Sequence, residues 1–181
     1  MADSNITKKA LAASLKELMQ KKSLTHISVS DICEGCDMNR KSFYYHFRDK
    51  YDLVNWIFDS EFIRVMNLSS TINVSEHIEG LENLVYYFYN NRQFYKKALT
   101  VDGQNSFSEH FHELAFTTIS VRMKEMFPDD EISDFQINFF SDAIVSSLKR
   151  WITEKECISP EEFMRQLNNC LKYISLRYNQ L

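Results

Sequence analysis

The residues with the most specific chemical potential lie at positions 38–50, where four basic and four aromatic side chains occupy thirteen positions. Arg and Lys side chains can donate hydrogen bonds to guanine O6 and N7 in the major groove of DNA. Hydroxyl and ammonium groups can bind phosphate oxygens. The alternative is a core helix with an ordinary solvated face. We favour a surface for double-stranded DNA, with these candidate contacts: Ser28, Ser30, Asn39, Arg40, Lys41, Ser42, Tyr44, Tyr45, His46 and Lys50.

Two other segments contain the residue types of metal or redox sites. Cys33 and Cys36 have the C-x-x-C spacing of such sites, but no second pair follows at zinc-finger spacing. His110 and His112 are two residues apart, so they would point to different sides of a helix. The sequence has no phosphate-binding glycine loop, and no catalytic triad can be argued from it. We therefore predict no metal, no cofactor and no enzymatic activity, and rank a small helical metalloprotein last.

The candidate DNA contacts need two short helices to position them. Ser28, followed three residues later by Asp31, approximates a capping box at the start of one helix. Asp37 can adopt the left-handed conformation of a tight turn without glycine, and Asn39 is a strong N-cap for the next helix. Two short helices joined in this way form a helix-turn-helix, whose second helix enters the major groove. The predicted helices span residues 29–35 and 40–47.

A family resemblance is carried by ISVSDI at residues 27–32 and NRKSFYYHFRDKYDL at residues 39–53. These segments resemble the DNA-binding domain of TetR/AcrR-type transcriptional regulators, over about the first 55 residues. Asp37 departs from the glycine that is usual in this turn. The pattern F-Y-x-H-F-x-x-K-x-x-L is highly specific in that setting and is formed here by Phe43, Tyr44, His46, Phe47, Lys50 and Leu53.

The remainder of the chain resembles a narrower branch, the regulators likened to those of dihydroxyacetone-kinase operons. The stretches that carry this resemblance are DKYDLVNWIF, NRQFYKKAL and DGQNSFSEHF. The resemblance implies nine or so helices and a larger domain that dimerises through its last two. It does not identify an effector or a target operon.

The composition favours an all-α fold. The 181 residues include only three Gly and two Pro, whereas strand-rich folds need turn residues every 8–12 positions or so. An apolar content of 44% is ordinary for a well-cored globular protein. No apolar run approaches the roughly 18 residues of a membrane span, and the first residues lack a secretory pattern. We therefore expect a cytoplasmic protein with reduced thiols and no membrane partner.

The charge distribution and helix signals suggest two domains. Residues 1–50 carry a net charge of +3 and residues 51–181 a net charge of −7, as expected if a polyanion-binding module is joined to a different domain. We assign residues 1–50 to the helix-turn-helix domain and residues 51–181 to a helical effector-binding and dimerisation domain. Beyond the helix-turn-helix, periodicity and caps predict helices at 6–20, 50–68, 75–90, 92–99, 107–127, 132–154 and from 160 onward.

Two surfaces of the larger domain are candidates for binding. Effector pockets are mostly apolar with a few polar groups, and the middle helices offer such residues, although ordinary aromatic core is the alternative for each: Phe62, Met66, Tyr87, Phe94, Tyr95, Phe107 and Phe111. The last two helices carry apolar stripes that predict a dimer interface, because two-fold operators need two heads about 34–36 Å apart. These stripes contain Phe140, Ile144, Ser147, Leu148, Trp151, Phe163, Leu167, Cys170, Leu171 and Ile174.

These patterns together predict a homodimeric, sequence-specific DNA-binding regulator. Its expected partners are a two-fold symmetric DNA operator, a second copy of the chain and an unknown small-molecule or protein effector. The alternative from another class is a helical protein-interaction adaptor that has lost DNA binding. The acidic larger domain and the modest positive charge of the N-terminal domain motivate that alternative.

Overall fold

The computed structural model of the protein describes the backbone of residues 2–67, 74–101, 103 and 106–178, and the side chains of residues 4–62, 80–101, 103, 106–170 and 172. Within these ranges the regular structure is entirely helical, which confirms the predicted all-α fold. No helix in the described ranges is both long and apolar enough to cross a lipid bilayer. The helices are α1 (Ala2–Lys21), α2 (Val29–Glu34), α3 (Arg40–His46), α4 (Lys50–Asn67), α5 (Val74–Asn90), α6 (Arg92–Leu99), α7 (Phe107–Met126), α8 (Asp134–Thr153) and α9 (Pro160–Tyr178).

Helices α1, α2 and α3 pack against one another and form an N-terminal head. Fully buried apolar side chains from each helix meet in its interior, among them Leu15, Ile32 and Phe43. A short 3-10 helix (Leu24–His26) joins α1 to α2 and was not predicted. Its three residues have no apolar periodicity of their own, and Leu24 is held there by burial against the head.

Local capping fixes the ends of the two short helices as the sequence predicted. Ser28 and Asp31 form a complete capping box at the start of α2. Asn39 caps α3, because its side-chain Oδ1 accepts a hydrogen bond from the Ser42 backbone N–H at 2.8 Å. Asp37 has a φ of 54°, so the turn between the helices uses a left-handed residue other than glycine. These caps confirm the predicted helix-turn-helix.

Helix α4 connects the head to the remaining helices. Its first turn is capped by Asp49, whose Oδ1 accepts backbone hydrogen bonds from Tyr51 at 2.8 Å and Asp52 at 2.9 Å. Further along the chain, α4 contacts α1, α5 and α7. Helix α4 therefore packs both against the head and against the later helices.

Three serines start the later helices. Ser106 caps α7, and Ser133 forms a capping box with Gln136 at the start of α8. The α8 start predicted at residue 132 was therefore two residues early, because Ser133 is the cap. Ser159 accepts a hydrogen bond from the Glu162 backbone N–H at 3.3 Å and starts α9 where the sequence predicted. One continuous apolar core runs from Leu11 in α1 to Met164 in α9.

Helix α6 holds the carboxyl ends of two other helices. Arg92 donates from Nε to the Ile152 carbonyl at 3.1 Å and from Nη2 to the Glu154 carbonyl, at the end of α8. Lys97 donates to the carbonyls of Met19, Gln20 and Lys22, at the end of α1. Cations placed at helix carboxyl ends satisfy carbonyls that have no intrahelical partner. Helix α6 thus links the head to α8.

Candidate nucleic-acid interface and apolar cavity

The amino-terminal end of α3 presents basic side chains to solvent. Asn39 fixes the first turn through its bond to Ser42, and Arg40 and Lys41 follow directly and are exposed. Because the capped turn is held by the Asn39 side chain, the two cations extend from a defined backbone position. Cations at this end of a second helix can reach base edges in the major groove.

The aromatic residues of α3 divide between two faces. Phe43 is fully buried and Phe47, just after the helix, is 3% exposed, whereas Tyr44 is 58% and Tyr45 82% exposed. The Phe43 and Tyr44 rings pack edge to face, with centroids 5.6 Å apart. Phe43 therefore anchors α3 in the head while the two tyrosines extend their hydroxyl groups outward. His46 is half-buried beside them and packs edge-on against the Tyr45 ring.

The serines at the start of α2 are less available than the sequence suggested. The Ser28 hydroxyl donates to Asp31 Oδ2 at 2.8 Å and accepts from the Asp31 backbone N–H at 3.1 Å. Hydrogen bonds from the backbone and side chain of Ser28 lower the pKa of the Asp31 carboxyl. Ser30, one residue into the helix, is half-buried. At this end of α2 the Ser28 hydroxyl therefore serves the cap, beside an ionised carboxylate.

Lys50 directs its ammonium group into the head. Its Nζ donates to the carbonyls of Leu24 at 2.7 Å, Thr25 at 3.1 Å and Ile27 at 2.7 Å. Burial lowers the pKa of the Lys50 side chain, against the opposing effect of nearby Asp49 and Asp31. The three bonds tie the start of α4 to the 3-10 helix that precedes α2. This role was not predicted, because the sequence suggested only a phosphate contact for Lys50.

The cysteine pair lies inside the head. Cys33 is 2% exposed, and Cys36 donates from Sγ to the Ile32 carbonyl at 3.3 Å. Burial raises the pKa of both thiols, which favours the protonated form over the thiolate that binds metals or attacks disulfides. Within the described residues no group of three or more His, Cys, Asp or Glu side chains is arranged to hold a metal ion.

The two histidines of α7 each pair with an aspartate on a neighbouring helix. His110 Nε2 lies 2.7 Å from Asp59 Oδ1 on α4, and His112 Nε2 lies 2.7 Å from Asp142 Oδ1 on α8. The hydrogen bond to Asp59 raises the pKa of His110. The side chains thus diverge, as the i, i+2 spacing predicted, and each joins α7 to a different neighbour.

Most of the predicted pocket residues form a packed aromatic core. Tyr87, Tyr95, Phe107 and Phe111 surround Phe58, with ring centroids 5.2–6.1 Å from it. Phe94 is buried as well, at 9% exposure, and packs edge-on against the ring of Tyr95. The Met66 side chain lies outside the described residues.

Two buried tyrosines close a polar chain within this core. The Tyr87 hydroxyl donates to Glu61 Oε2 at 2.7 Å and lies 2.5 Å from the Tyr95 hydroxyl. Glu61 in turn pairs with Lys16 of α1. Burial raises the pKa of both tyrosines well above the ordinary value. These hydroxyls are therefore neutral and are satisfied inside the protein.

An apolar cavity of about 180 Å³ opens beside this core, between α4, α5, α7 and α8. Of the predicted pocket residues, Phe62 and Phe111 line it. Its polar side chains come from Thr118 and Arg122 of α7. Among the side chains that the structure describes, the remaining lining ones are apolar, and they include Leu81, Leu84, Leu114, Ala115, Ile119 and Ile144.

Part of the predicted dimer surface lies in the protomer's own core. Leu148 is 2%, Trp151 4% and Phe163 9% exposed, and the Trp151 and Phe163 rings stack with centroids 4.4 Å apart. These three side chains therefore offer almost no surface to a partner. Phe140, Ile144 and Leu167 are half-buried, and Ser147 and Cys170 are exposed. The Leu171 and Ile174 side chains lie outside the described residues.

The opposite face of α8 is the apolar one exposed to solvent. Phe135 is 78% and Phe139 55% exposed, and they are four residues apart on one side of the helix. Ala143, Ser146 and Arg150 continue this side and are exposed as well. We call these five residues the outward face of α8. A 440 Å³ groove between α8 and α9 borders it and includes Ser147 and Cys170.

Two family models match the chain. One, described as bacterial regulatory proteins of the tetR family, matches residues 11–57, which include the helix-turn-helix. The other, described as a transcriptional regulator C-terminal region, matches residues 75–173, more than half of the chain. The chain belongs to the TetR family of bacterial regulatory proteins. Both matched families are transcriptional regulators rather than enzymes.

Individual relatives confirm the narrower resemblance of this TetR-family chain. The HTH-type dhaKLM operon transcriptional activator DhaS of Lactococcus lactis subsp. lactis is 29% identical over 185 residues, covering 100% of this chain and 91% of the relative. A solved structure of a dihydroxyacetone kinase operon activator DhaS is 27% identical, with a TM-score of 0.65 and coverage of 93% and 95%. A TetR transcriptional regulator from Streptococcus agalactiae 2603V, at 20% identity and a TM-score of 0.68, covers 91% and 93% and shares the fold.

Sequence reasoning missed two features of this TetR-family chain. Of the cavity wall supplied by α7, Phe111 was predicted but Thr118 and Arg122 were not, although these two are four residues apart and share one side of the helix. The exposed aromatic residues Phe135 and Phe139 of the outward face of α8 were also missed, although they have the same spacing. In α8, both sides of the helix carry apolar residues, so periodicity alone did not distinguish core from surface.

Proposed function

We propose that this TetR-family regulator acts as a homodimer on a two-fold symmetric operator, under the control of a small-molecule effector. The observation that carries the proposal is the amino-terminal end of α3, where Arg40, Lys41, Tyr44 and Tyr45 are exposed together above a buried Phe43 anchor. Basic side chains and tyrosine hydroxyl groups on one capped helix can donate hydrogen bonds to both base edges and phosphates. Ser42 and His46 would complete the surface.

Dimerisation is supported by the outward face of α8. Two large aromatic side chains four residues apart are more than half exposed, next to the small residues Ala143 and Ser146. Exposed apolar patches rimmed by polar residues mark interaction sites. A second copy of the chain would cover this face and supply the second head that a two-fold operator needs. The proposed interface thus moves from the buried Leu148 and Trp151 to the opposite, outward face of α8.

Effector control is supported by the position of α4. Phe62 of α4 lines the cavity, and its ring stacks on the Phe58 ring with centroids 5.0 Å apart. Lys50 ties the start of the same helix to the head. A ligand that favours one orientation of α4 would therefore change the separation of the two heads. It would act only to the extent that it binds the two orientations with different affinities.

The test of DNA binding is a selection of random duplexes by the purified protein, followed by titration of the winning duplex from low to high salt. We expect a two-fold symmetric sequence whose binding weakens with a steep log–log salt slope. Lys41→Met and Tyr44→Phe should weaken binding. Lys124→Met, which removes an exposed lysine of α7, is the matched control and should bind as the wild type does.

Dimerisation is measured separately by sedimentation. Phe139→Ser should yield monomers, whereas Met126→Ser should not, although the two side chains are matched in exposure at 55% and 54%. A folded dimer that enriches no duplex even at low salt would overturn the DNA-binding proposal and favour the protein-interaction adaptor. A folded protein that sediments as a monomer and still selects a single half-site would overturn the dimer alone.

A further inference from the structure

We infer that the apolar cavity between α4, α5, α7 and α8 binds a small amphipathic carboxylate, whose acid group pairs with Arg122. The inference rests on the proposed function, since this ligand would be the effector. It goes beyond that function by naming the chemical class of the ligand and the residue that selects it.

The size of the cavity sets the size of the ligand. A cavity of roughly 150 Å³ lined by Leu, Ile and Phe side chains accommodates benzene. The cavity here measures about 180 Å³ and has the same kind of lining, with Phe62, Leu84, Phe111 and Ile144 each from a different helix. It therefore fits one aromatic ring, or a chain of about six carbons, together with a small polar group.

The polar groups of the cavity set the chemistry. Thr118 and Arg122, a hydroxyl-bearing and a guanidinium-bearing residue, lie on adjacent turns of α7 and line the cavity, and the other lining residues that the structure describes are apolar. A ligand bound there would meet hydrocarbon on most sides and a hydrogen-bond donor pair on one side. Sites of this kind use a few placed polar groups to fix orientation and specificity.

The charge of Arg122 favours an acid. Its Nη1 lies 3.6 Å from Glu125 Oε2, and the Glu125 side chain is 54% exposed. Exposed ion pairs of this kind contribute little, and a guanidinium has five N–H donors, so the contact with Glu125 leaves donors for a second carboxylate. Arg binds carboxylates in a bidentate geometry that an alcohol cannot reproduce. The cavity should therefore discriminate an acid from the alcohol of the same length.

The test is calorimetric titration of the full-length protein with hexanoate, benzoate, hexan-1-ol, benzyl alcohol and acetate. We expect each acid to bind about tenfold more tightly than its alcohol, and acetate, which lacks an apolar body, not to bind. Arg122→Gln should abolish the difference between acid and alcohol while leaving alcohol binding in place. Ala115→Phe should abolish binding of both, since Ala115 lines the cavity and the added ring fills it.

Arg165→Gln is the matched control for Arg122→Gln. Arg165 also pairs with a glutamate three residues away, Glu162, at 2.6 Å, but it does not line the cavity. This variant should keep the wild-type preference for acids. Urea denaturation of each variant checks that the fold is intact.

Three results would overturn the inference. Equal binding of acids and alcohols by the wild type would show that the cavity selects hydrocarbon alone. An acid preference that survives Arg122→Gln, or disappears in Arg165→Gln, would remove Arg122 from its role. Absence of binding by all five probes in a protein that still selects operator DNA would reject the ligand class and leave the proposed regulator standing. Loss of DNA selection, by contrast, rejects the regulator whatever the cavity binds.

Discussion

Replacement of Lys50 by Met separates a structural role from a DNA contact. In the structure the Lys50 ammonium group donates to three carbonyls, of Leu24, Thr25 and Ile27, at 2.7–3.1 Å. Leu24 and Ile27 are buried, whereas Thr25 is exposed. The Leu24 carbonyl also accepts from the Ile27 backbone N–H at 3.2 Å, so the loss falls mainly on the buried Ile27 carbonyl, where water replaces the lost bond poorly. A carbonyl left unsatisfied in a buried setting costs about 1–3 kcal/mol. We expect Lys50→Met to lower the free energy of unfolding by about that amount.

The assay combines urea denaturation with the salt dependence of operator binding. Each phosphate contact contributes about 0.9 to the slope of log affinity against log salt concentration. Two heads that each lose one contact should therefore lower the slope by about 1.8. Because the Lys50 ammonium group is held by these three carbonyls, Lys50→Met should leave this slope nearly unchanged while it destabilises the protein. Lys41→Met, at an exposed position of α3, should do the reverse.

One result would refute the structural role of Lys50. If Lys50→Met retains wild-type stability but lowers the salt slope as Lys41→Met does, Lys50 binds phosphate in the complex. The bonds to the 3-10 helix would then be dispensable, and the link between α4 and the head would need another explanation.

Three further predictions concern the stability of the protein. Gly35→Ala should lower the unfolding free energy by about 1–3 kcal/mol, since its Cβ would lie 2.3 Å from Ser14 Oγ; adding Ser14→Ala should recover part of the loss in urea denaturation. The pKa of His110 is raised by its bond to Asp59. The contribution of this pair to the unfolding free energy should therefore be full below pH 6.5, the ordinary histidine value, and be lost as pH rises through the higher folded-state pKa. The wild type should therefore exceed His110→Gln in unfolding free energy more at pH 5.5 than at pH 8.5, and an equal gap at both would contradict this. Asp37 has a φ of 54°, so thermal unfolding should show Asp37→Val destabilised by about 1–2 kcal/mol and Asp37→Gly at least as stable as the wild type.

Features encoded by neighbouring residues could be predicted from the sequence. Ser28 and Asn39 were assigned as helix caps, and helices were predicted to begin at residues 50 and 160. Ser28 and Asn39, and Asp49 and Ser159 just before those two starts, each accept a backbone hydrogen bond from a residue two or three positions later. The left-handed turn at Asp37 follows from the same local chemistry. A cap and its donor are close in the chain, so the pattern is visible before the chain folds.

Features that depend on distant contacts could not be predicted in this way. Lys50 reaches a carbonyl 26 residues earlier, and Lys97 one that is 78 residues earlier. Similarly, residues 62 and 94 are both phenylalanine and have comparable neighbours in the sequence. Only the packing of the folded chain determines that Phe62 lines the cavity and Phe94 does not. The type of an aromatic residue predicts burial, but it does not predict whether its neighbours leave a space.

If the cavity binds an effector as proposed, the contacts of α6 offer a second route from the cavity to the head besides α4. Ile144 places α8 on the cavity wall, and the carboxyl end of α8 is held by Arg92 at the start of α6. One turn further along α6, Lys97 holds the carboxyl end of α1 in the head. Helix α6 has eight residues and donates to carbonyls at the ends of both helices, so a shift of α8 would also act on the end of α1. Because α1 packs against α2 and α3, a shift of α8 and a tilt of α4 would both act on α3. A ligand that changes both helices together needs only a small difference in affinity between two packings of the same core.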